Sequence, residues 1–245
     1  MRKTSNILGI PVDCVTMPEA LLRVREFLYE DKSKAIYTPN SEIMMEAQRD
    51  PYLKEILCQS DLLIADGAGV VMASHILGCD LPERVTGVDL VKNIFAMDFD
   101  RKLKFFFLGG KPGVAQIARD NVLAQYPNVE VTGCHDGYFS DNDILSVINE
   151  INASDSDILL VALGQKKQES FIHQNKDKLN VRACIGCGGT IDILAGTAQL
   201  APDFFRNNNL EWLFRLYKQP KRFRRMLDLP RFMLTVIKAR RFFTK

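Results

Sequence analysis

Histidine is scarce in this 245-residue chain: there are three, His75, His135 and His173, and no two stand at metal-ligand spacing. Tryptophan occurs once, as Trp212. No stretch of about 18 or more uncharged apolar residues exists, so no segment is expected to span a bilayer. The basic start, Met1–Asn6, leads into no long apolar stretch, and no secretory leader is expected. The dinucleotide fingerprint G-x-G-x-x-G is missing after the first strands, which argues against an NAD-dependent oxidoreductase. No Asp-x-Asp pair stands at a strand end, where it would hold a divalent ion against a nucleotide-sugar diphosphate. Asp155-Ser156-Asp157 has that spacing but precedes its strand and reads as a turn. Neither a metal nor a cofactor is therefore expected. The six cysteines are scattered, which points to reduced thiols in a cytoplasmic setting. Cys184 and Cys187 have redox or zinc spacing. With no second pair and no ligand histidines, at the end of a strand, they read as structural.

What is present is an ordinary core and an uneven charge. The chain is 47% hydrophobic and 25% charged, enough to bury a sizeable core. Its net charge of +2 hides an asymmetry. Residues 206–245 carry twelve Lys/Arg against two acids, Glu211 and Asp228, while the rest carries twenty bases against twenty-eight acids. A basic tail on an acidic body predicts an anionic partner for one end. In that tail, Lys221–Leu229 places Phe223, Met226 and Leu227 on one side with arginines around the rest, and Pro230 is expected to break the chain. Three readings fit: an anionic membrane surface, a nucleic acid, or plain packing on the body.

Before residue 196, short apolar runs alternate with helical periodicity. Lys34–Tyr37, Asp61–Ala65, Lys104–Leu108, Val129–Cys134, Asp157–Ala162 and Val181–Cys187 read as strands. The expected fold is α/β: a Rossmann-like, mainly parallel sheet with helices on both faces. A basic helical appendage follows, which divides the chain into a core, 1–196, and an appendage, 197–245. In such sheets, ligands bind beyond the carboxyl ends of strands. Thr38, Asn40 and Asp66 stand at two such ends. Asp66 reads as a general base in a cleft and as the N-cap of the next helix, two roles that do not exclude each other. The Gly109-Gly110-Lys111-Pro112-Gly113 loop is either a phosphate cradle or a tight strand-to-helix turn. A non-catalytic nucleotide- or nucleic-acid-binding module is the competing class, and it has no use for a carboxylate beside a diphosphate.

Eight segments together resemble one family: TPNSE from Thr38, the IADG run, LPERVTG, FFFLGGKPGVA, HDGYF, ALGQKKQE, GCGGTIDILAG, and LEWLFRLYKQPKRFRRM. They cover essentially the whole chain, in order, and look like the WecG/TagA/CpsF glycosyltransferases of glycosyltransferase family 26. The resemblance implies inverting transfer from a UDP-sugar donor to a lipid-diphosphate sugar acceptor, peripherally on the inner face of the bacterial membrane. In the TagA branch, N-acetylmannosamine moves from UDP to undecaprenyl-diphosphate N-acetylglucosamine, which primes wall teichoic acid. Sibling donors are UDP-N-acetylmannosaminuronic acid and UDP-glucose. The family's base falls on Asp66, here after Ala65 where many members have proline. Thr38 and Asn40 match its TPN motif, Arg84 its PERVTG motif and Gln168 its KQE motif. Arg215, Arg222 and Arg225 resemble the groups that hold the acceptor diphosphate. Gly109, Gly110, Tyr138, Gly189 and Asp192 are expected to contact UDP. The appendage is expected to meet an anionic membrane and complete the site, with no nucleic acid bound. Self-association in solution is a further expectation.

Overall fold

The computed structural model describes residues 2–79, 81–218, 220 and 223–243, and of Asn207, Arg215, Arg224, Arg225 and residues 241–243 the backbone alone. A hairpin of β1 (Thr4–Ile7) and β2 (Ile10–Asp13) comes first. Then follow α1 (Met17–Phe27), β3 (Lys34–Tyr37), α2 (Ser41–Arg49), α3 (Pro51–Cys58), β4 (Leu62–Leu63) and α4 (Ala68–Leu77). The second half of the body runs α5 (Gly87–Phe95), β5 (Leu103–Gly109), α6 (Val114–Gln125), β6 (Val129–His135), α7 (Ile144–Ala153), β7 (Ile158–Ala162), α8 (Lys167–Asn175), β8 (Ala183–Gly186) and α9 (Thr190–Leu194). The remaining helices are α10 (Asp203–Asn207), α11 (Glu211–Lys218), α12 (Phe223–Met226) and α13 (Asp228–Phe243).

Among the described residues, β3 to β8 form one six-stranded sheet in the order β4-β3-β8-β7-β5-β6, every pair parallel. This is the α/β architecture expected from the alternating pattern. The inner strands β7 and β8 are buried at every position, as a sheet covered on both faces requires. Side chains alternate between two cores. Tyr37, Phe106, Leu108, Leu159 and Val161 meet α2, α3, α4, α7 and α8 on one face. Ile36, Phe105, Phe107, Leu160 and Ile185 meet α1, α5, α6 and α9 on the other.

Two elements differ from expectation. The strand expected over Asp61–Ala65 keeps strand register only at Leu62 and Leu63, although the N–H groups of Asp61, Ile64 and Asp66 bond to Ala35, Tyr37 and Pro39 O along β3 and its loop. It is a sheet edge, and side chains complete it: Ala35 donates its N–H to Asp61 Oδ2 at 2.8 Å, and the outward Leu63 N–H is taken by Asp13 Oδ2 at 2.7 Å. Asp13 is held in turn by Arg2 at 2.6 Å, so the hairpin seals the edge. Pro230 does not break the chain. It lies in the first turn of α13, where its missing N–H has no intrahelical partner to lose.

Helix α13 packs onto α2 and α4. Phe232 and Val236 are fully buried in the same core as β7, and Arg49 pairs with Asp228 at 2.6 Å at the helix start. Phe232→Ala is expected to destabilise the whole protein by about 3–5 kcal/mol in urea unfolding, the cost of truncating a buried aromatic. A loss below 1 kcal/mol would show that α13 is not part of the cooperative core.

Candidate active site

The chain leaves β3 and β8 toward opposite faces of the sheet. After β3 it enters α2, whose Ile43 and Met44 belong to one core; after β8 it enters α9, whose Ile191 belongs to the other. Neighbouring strands with diverging loops open a crevice at their carboxyl ends. Here it is a cleft of about 640 Å³, and its walls include Thr38, Asn40, Asp66, Lys111, Gln168, Gly188, Gly189 and Asp192. Thr38 Oγ1 donates to Gly186 O at 3.2 Å and straps the two loops together. Gly87 makes room for it: a Cβ there would lie 2.9 Å from Thr38 Oγ1. Asn40 caps α2, its Oδ1 accepting from the N–H of Glu42 and Ile43 at 3.0 and 3.1 Å.

Asp66 follows β4, its backbone N–H bound to Pro39 O at 3.1 Å. It is not the cap of α4. That position is Gly67, with φ of 103° and no side-chain cap. The Asp66 carboxylate instead accepts the N–H of Gly87 at the start of α5, at 3.4 Å. A second cavity of about 200 Å³ adjoins this residue. Its lining is largely apolar, from Met72, Trp212, Met226, Leu229 and Met233. Asn40, Asp66 and Glu211 line both spaces.

Of the other expected site residues, Arg84 lines the apolar cavity, with Nη2 3.1 Å from Glu211 Oε1. Gln168 reaches the cleft, but its amide is engaged. Its Nε2 donates to Glu169 Oε1 at 2.9 Å, and its Oε1 accepts from Gly188 N–H at 3.1 Å. Its action is therefore on the Gly188–Gly189 loop. Gly109, Gly110 and Tyr138 line neither cavity, although Lys111 and Val114 from the same loop line the cleft. Gly109 answers to packing: its φ is 137°, and a Cβ would lie 2.4 Å from Ala162 O. Tyr138 is 71% exposed. Arg222 lies outside the described residues, as do the side chains of Arg215 and Arg225. Sequence reasoning passed over Lys111, Glu211 and Trp212 as site residues. Glu211 carried a usable signal, being one of two acids in a basic tail.

The model of the glycosyl transferase WecG/TagA/CpsF family matches residues 5–245. The chain belongs to this family. Among its relatives is the N-acetylglucosaminyldiphosphoundecaprenol N-acetyl-beta-D-mannosaminyltransferase of Bacillus spizizenii, 35% identical over 88% of this chain and 83% of that one. The protein of the same name from Bacillus subtilis is 33% identical over 87% and 83%, and that of Staphylococcus aureus strain MRSA252 is 30% identical over 96% and 93%.

In this family member, no cluster of three or more His, Cys, Asp or Glu able to hold a metal occurs among the described residues. Cys184 and Cys187 are buried, and desolvation pushes both thiols up to about 12, so they pack rather than react. Glu169 is buried behind Gln168, and burial pushes its carboxyl above the ordinary glutamate range. Such a group costs stability as pH rises above its unfolded value, because the unfolded chain then releases the proton that the fold retains. Glu169→Gln keeps the oxygen facing Gln168 and removes this penalty. The variant is expected to be more stable than wild type at pH 7, with an advantage that shrinks as pH falls below the unfolded glutamate value. Thermal melts between pH 4 and 8 test this, and a pH-independent difference would refute it.

Proposed function

We propose that this protein is an inverting glycosyltransferase that moves N-acetylmannosamine from UDP-N-acetylmannosamine to undecaprenyl-diphosphate N-acetylglucosamine. The relatives' names state the transferred sugar and the acceptor. One observation carries the reading for this chain: Asp66 stands in the wall shared by a cleft of mixed lining large enough for a nucleotide-sugar and a largely apolar cavity suited to a lipid-linked sugar.

In this reading, a hydroxyl of the acceptor sugar attacks the donor's anomeric carbon from the side opposite UDP. The new C–O bond forms as the bond to the phosphate oxygen breaks, which inverts the centre and gives a β linkage. The hydroxyl proton passes to Asp66, and the electron pair departs on UDP. In this reading Lys111, the start of α6 and the N–H of Gly189 stabilise that charge, while the Gly188 N–H stays bound to Gln168. Thr38 and Asn40 hold the loop that shapes the donor side. The body, 1–196, supplies most of the donor cleft, and the appendage, 197–245, adds residues 197–201 and Glu211 to it and Trp212, Met226, Leu229 and Met233 to the acceptor side. Asp66→Asn is expected to lower kcat about 10²–10⁴-fold while UDP affinity stays within about twofold. Near-normal turnover in a lipid-acceptor assay would remove Asp66 from this role.

No described helix is long and apolar enough to cross a membrane. The appendage exposes Trp212, Leu213, Tyr217 and Phe223 in a basic segment, which fits peripheral attachment at the inner face of the membrane. Binding to vesicles containing phosphatidylglycerol is expected to exceed binding to neutral vesicles by at least about tenfold and to weaken with salt. Equal binding to both compositions would contradict an electrostatic contribution from the tail.

A further inference from the structure

The basic tail contains two acids, and they are placed differently. Asp228 pairs with Arg49 at 2.6 Å and with Arg231 at 3.3 Å, on the flank of the body. Glu211 stands at the first position of α11 and lines both cavities. Its Oε1 lies 3.1 Å from Arg84 Nη2 and 4.0 Å from Arg206 Nε. That oxygen is buried, yet neither neighbour gives it a well-directed hydrogen bond. Arg206 aims its Nη2 at Asp89, at 3.0 and 2.9 Å from the two carboxylate oxygens. The Glu211–Arg84 contact is therefore a charge pair without the geometry of a firm clamp.

Its position sets up a competition. Asp66 and Glu211 put two carboxylates around the space that Arg84 faces. A diphosphate drawn to Arg84 meets the Glu211 charge at the same guanidinium, and the two anions repel in a partly dehydrated site. Building on the transfer reaction proposed above, we propose that Glu211 is a stand-in anion. It neutralises Arg84 in the unliganded enzyme and gives way to a phosphate oxygen of the diphosphate substrate, so that α11 shifts when substrate binds. No bond is made or broken in this step; one ion pair replaces another. The neighbouring residue, Trp212, lines the apolar cavity and is the only tryptophan, so it reports the movement.

Calorimetry and intrinsic fluorescence on the full chain test the exchange, with UDP and farnesyl diphosphate as probes for the donor and acceptor sources of the diphosphate. Glu211→Gln is expected to bind one probe at least about threefold more tightly than wild type, the scale of removing one partly exposed competing ion pair. Arg84→Gln is expected to weaken the same probe. Tightening for UDP assigns the exchange to the donor, and tightening for farnesyl diphosphate assigns it to the acceptor. In wild type, saturation with that probe is expected to move Trp212 emission. Equal or weaker binding of both probes to Glu211→Gln would overturn the proposal, because Glu211 would then merely position Arg84. Unchanged Trp212 emission in saturated wild type would overturn it without recourse to a variant. If wild type still transfers sugar while Glu211→Gln binds as wild type does, the exchange alone falls. If wild type binds neither probe, the transfer reading falls with it.

Discussion

The site depends on one topological constraint: β3 and β8 are neighbours whose chains depart to opposite faces of the sheet. Parallel strands with continuous apolar runs place all their loops at the same edge, and diverging loops leave a gap there. The Thr38–Gly186 hydrogen bond holds the gap at a fixed width. Asn40 turns the β3 loop into the start of α2, and Gln168 ties down the loop after β8. Residues that are far apart in sequence therefore work on one object, the shape of a cleft beyond the sheet.

Asp66 shows how much of a residue's role is set by its neighbours. A carboxylate immediately before a helix ordinarily caps it, but Asp66 stands one position too early, and Gly67 takes that place with a backbone conformation suited to glycine. The carboxylate is thereby directed to the start of another helix, α5, and stands between the larger cleft of mixed lining and the apolar cavity. The N-terminus of α5 is tied in turn to the tail. Thr86 and Asp89 cap each other there, and Arg206 holds Asp89 from α10. Glu211 faces Arg84 from α11. An appendage remote in sequence is thus joined to the Asp66 neighbourhood by ion pairs at two points.

The tail combines two kinds of surface. Helix α13 gives Phe232 and Val236 to a core of the body. Helices α11 and α12 expose Trp212, Tyr217 and Phe223 beside basic residues and close the apolar cavity with Trp212 and Met226. Burial anchors one end of the tail, and the other end exposes apolar rings in a segment whose sequence is basic. The proposed transfer, in which a lipid-linked diphosphate meets a nucleotide-sugar, calls for both properties in one segment.

Periodicity was enough to read the alternating strands and helices, since apolar runs and 3.6-residue spacing are local properties. Strand-end logic placed Thr38, Asn40 and Asp66 at one cleft, and motif resemblance found the family. Local pattern gave β4 five residues where strand register covers two, Leu62 and Leu63. It also misread Pro230, because tolerance of proline depends on its position within a turn. The glycine loop after β5 had the composition of a phosphate cradle, yet Gly109 is required by contact with Ala162 on the adjacent strand. The sequence by itself determined the elements, the charge asymmetry and the candidate carboxylate. The tertiary structure alone decided that Asp66 lies between two cavities, that Glu211 faces Arg84, and that the tail is part of the core. Those facts depend on which strands and helices lie side by side, and such contacts join residues as much as 179 positions apart, as Arg49 and Asp228 are, that no local pattern relates.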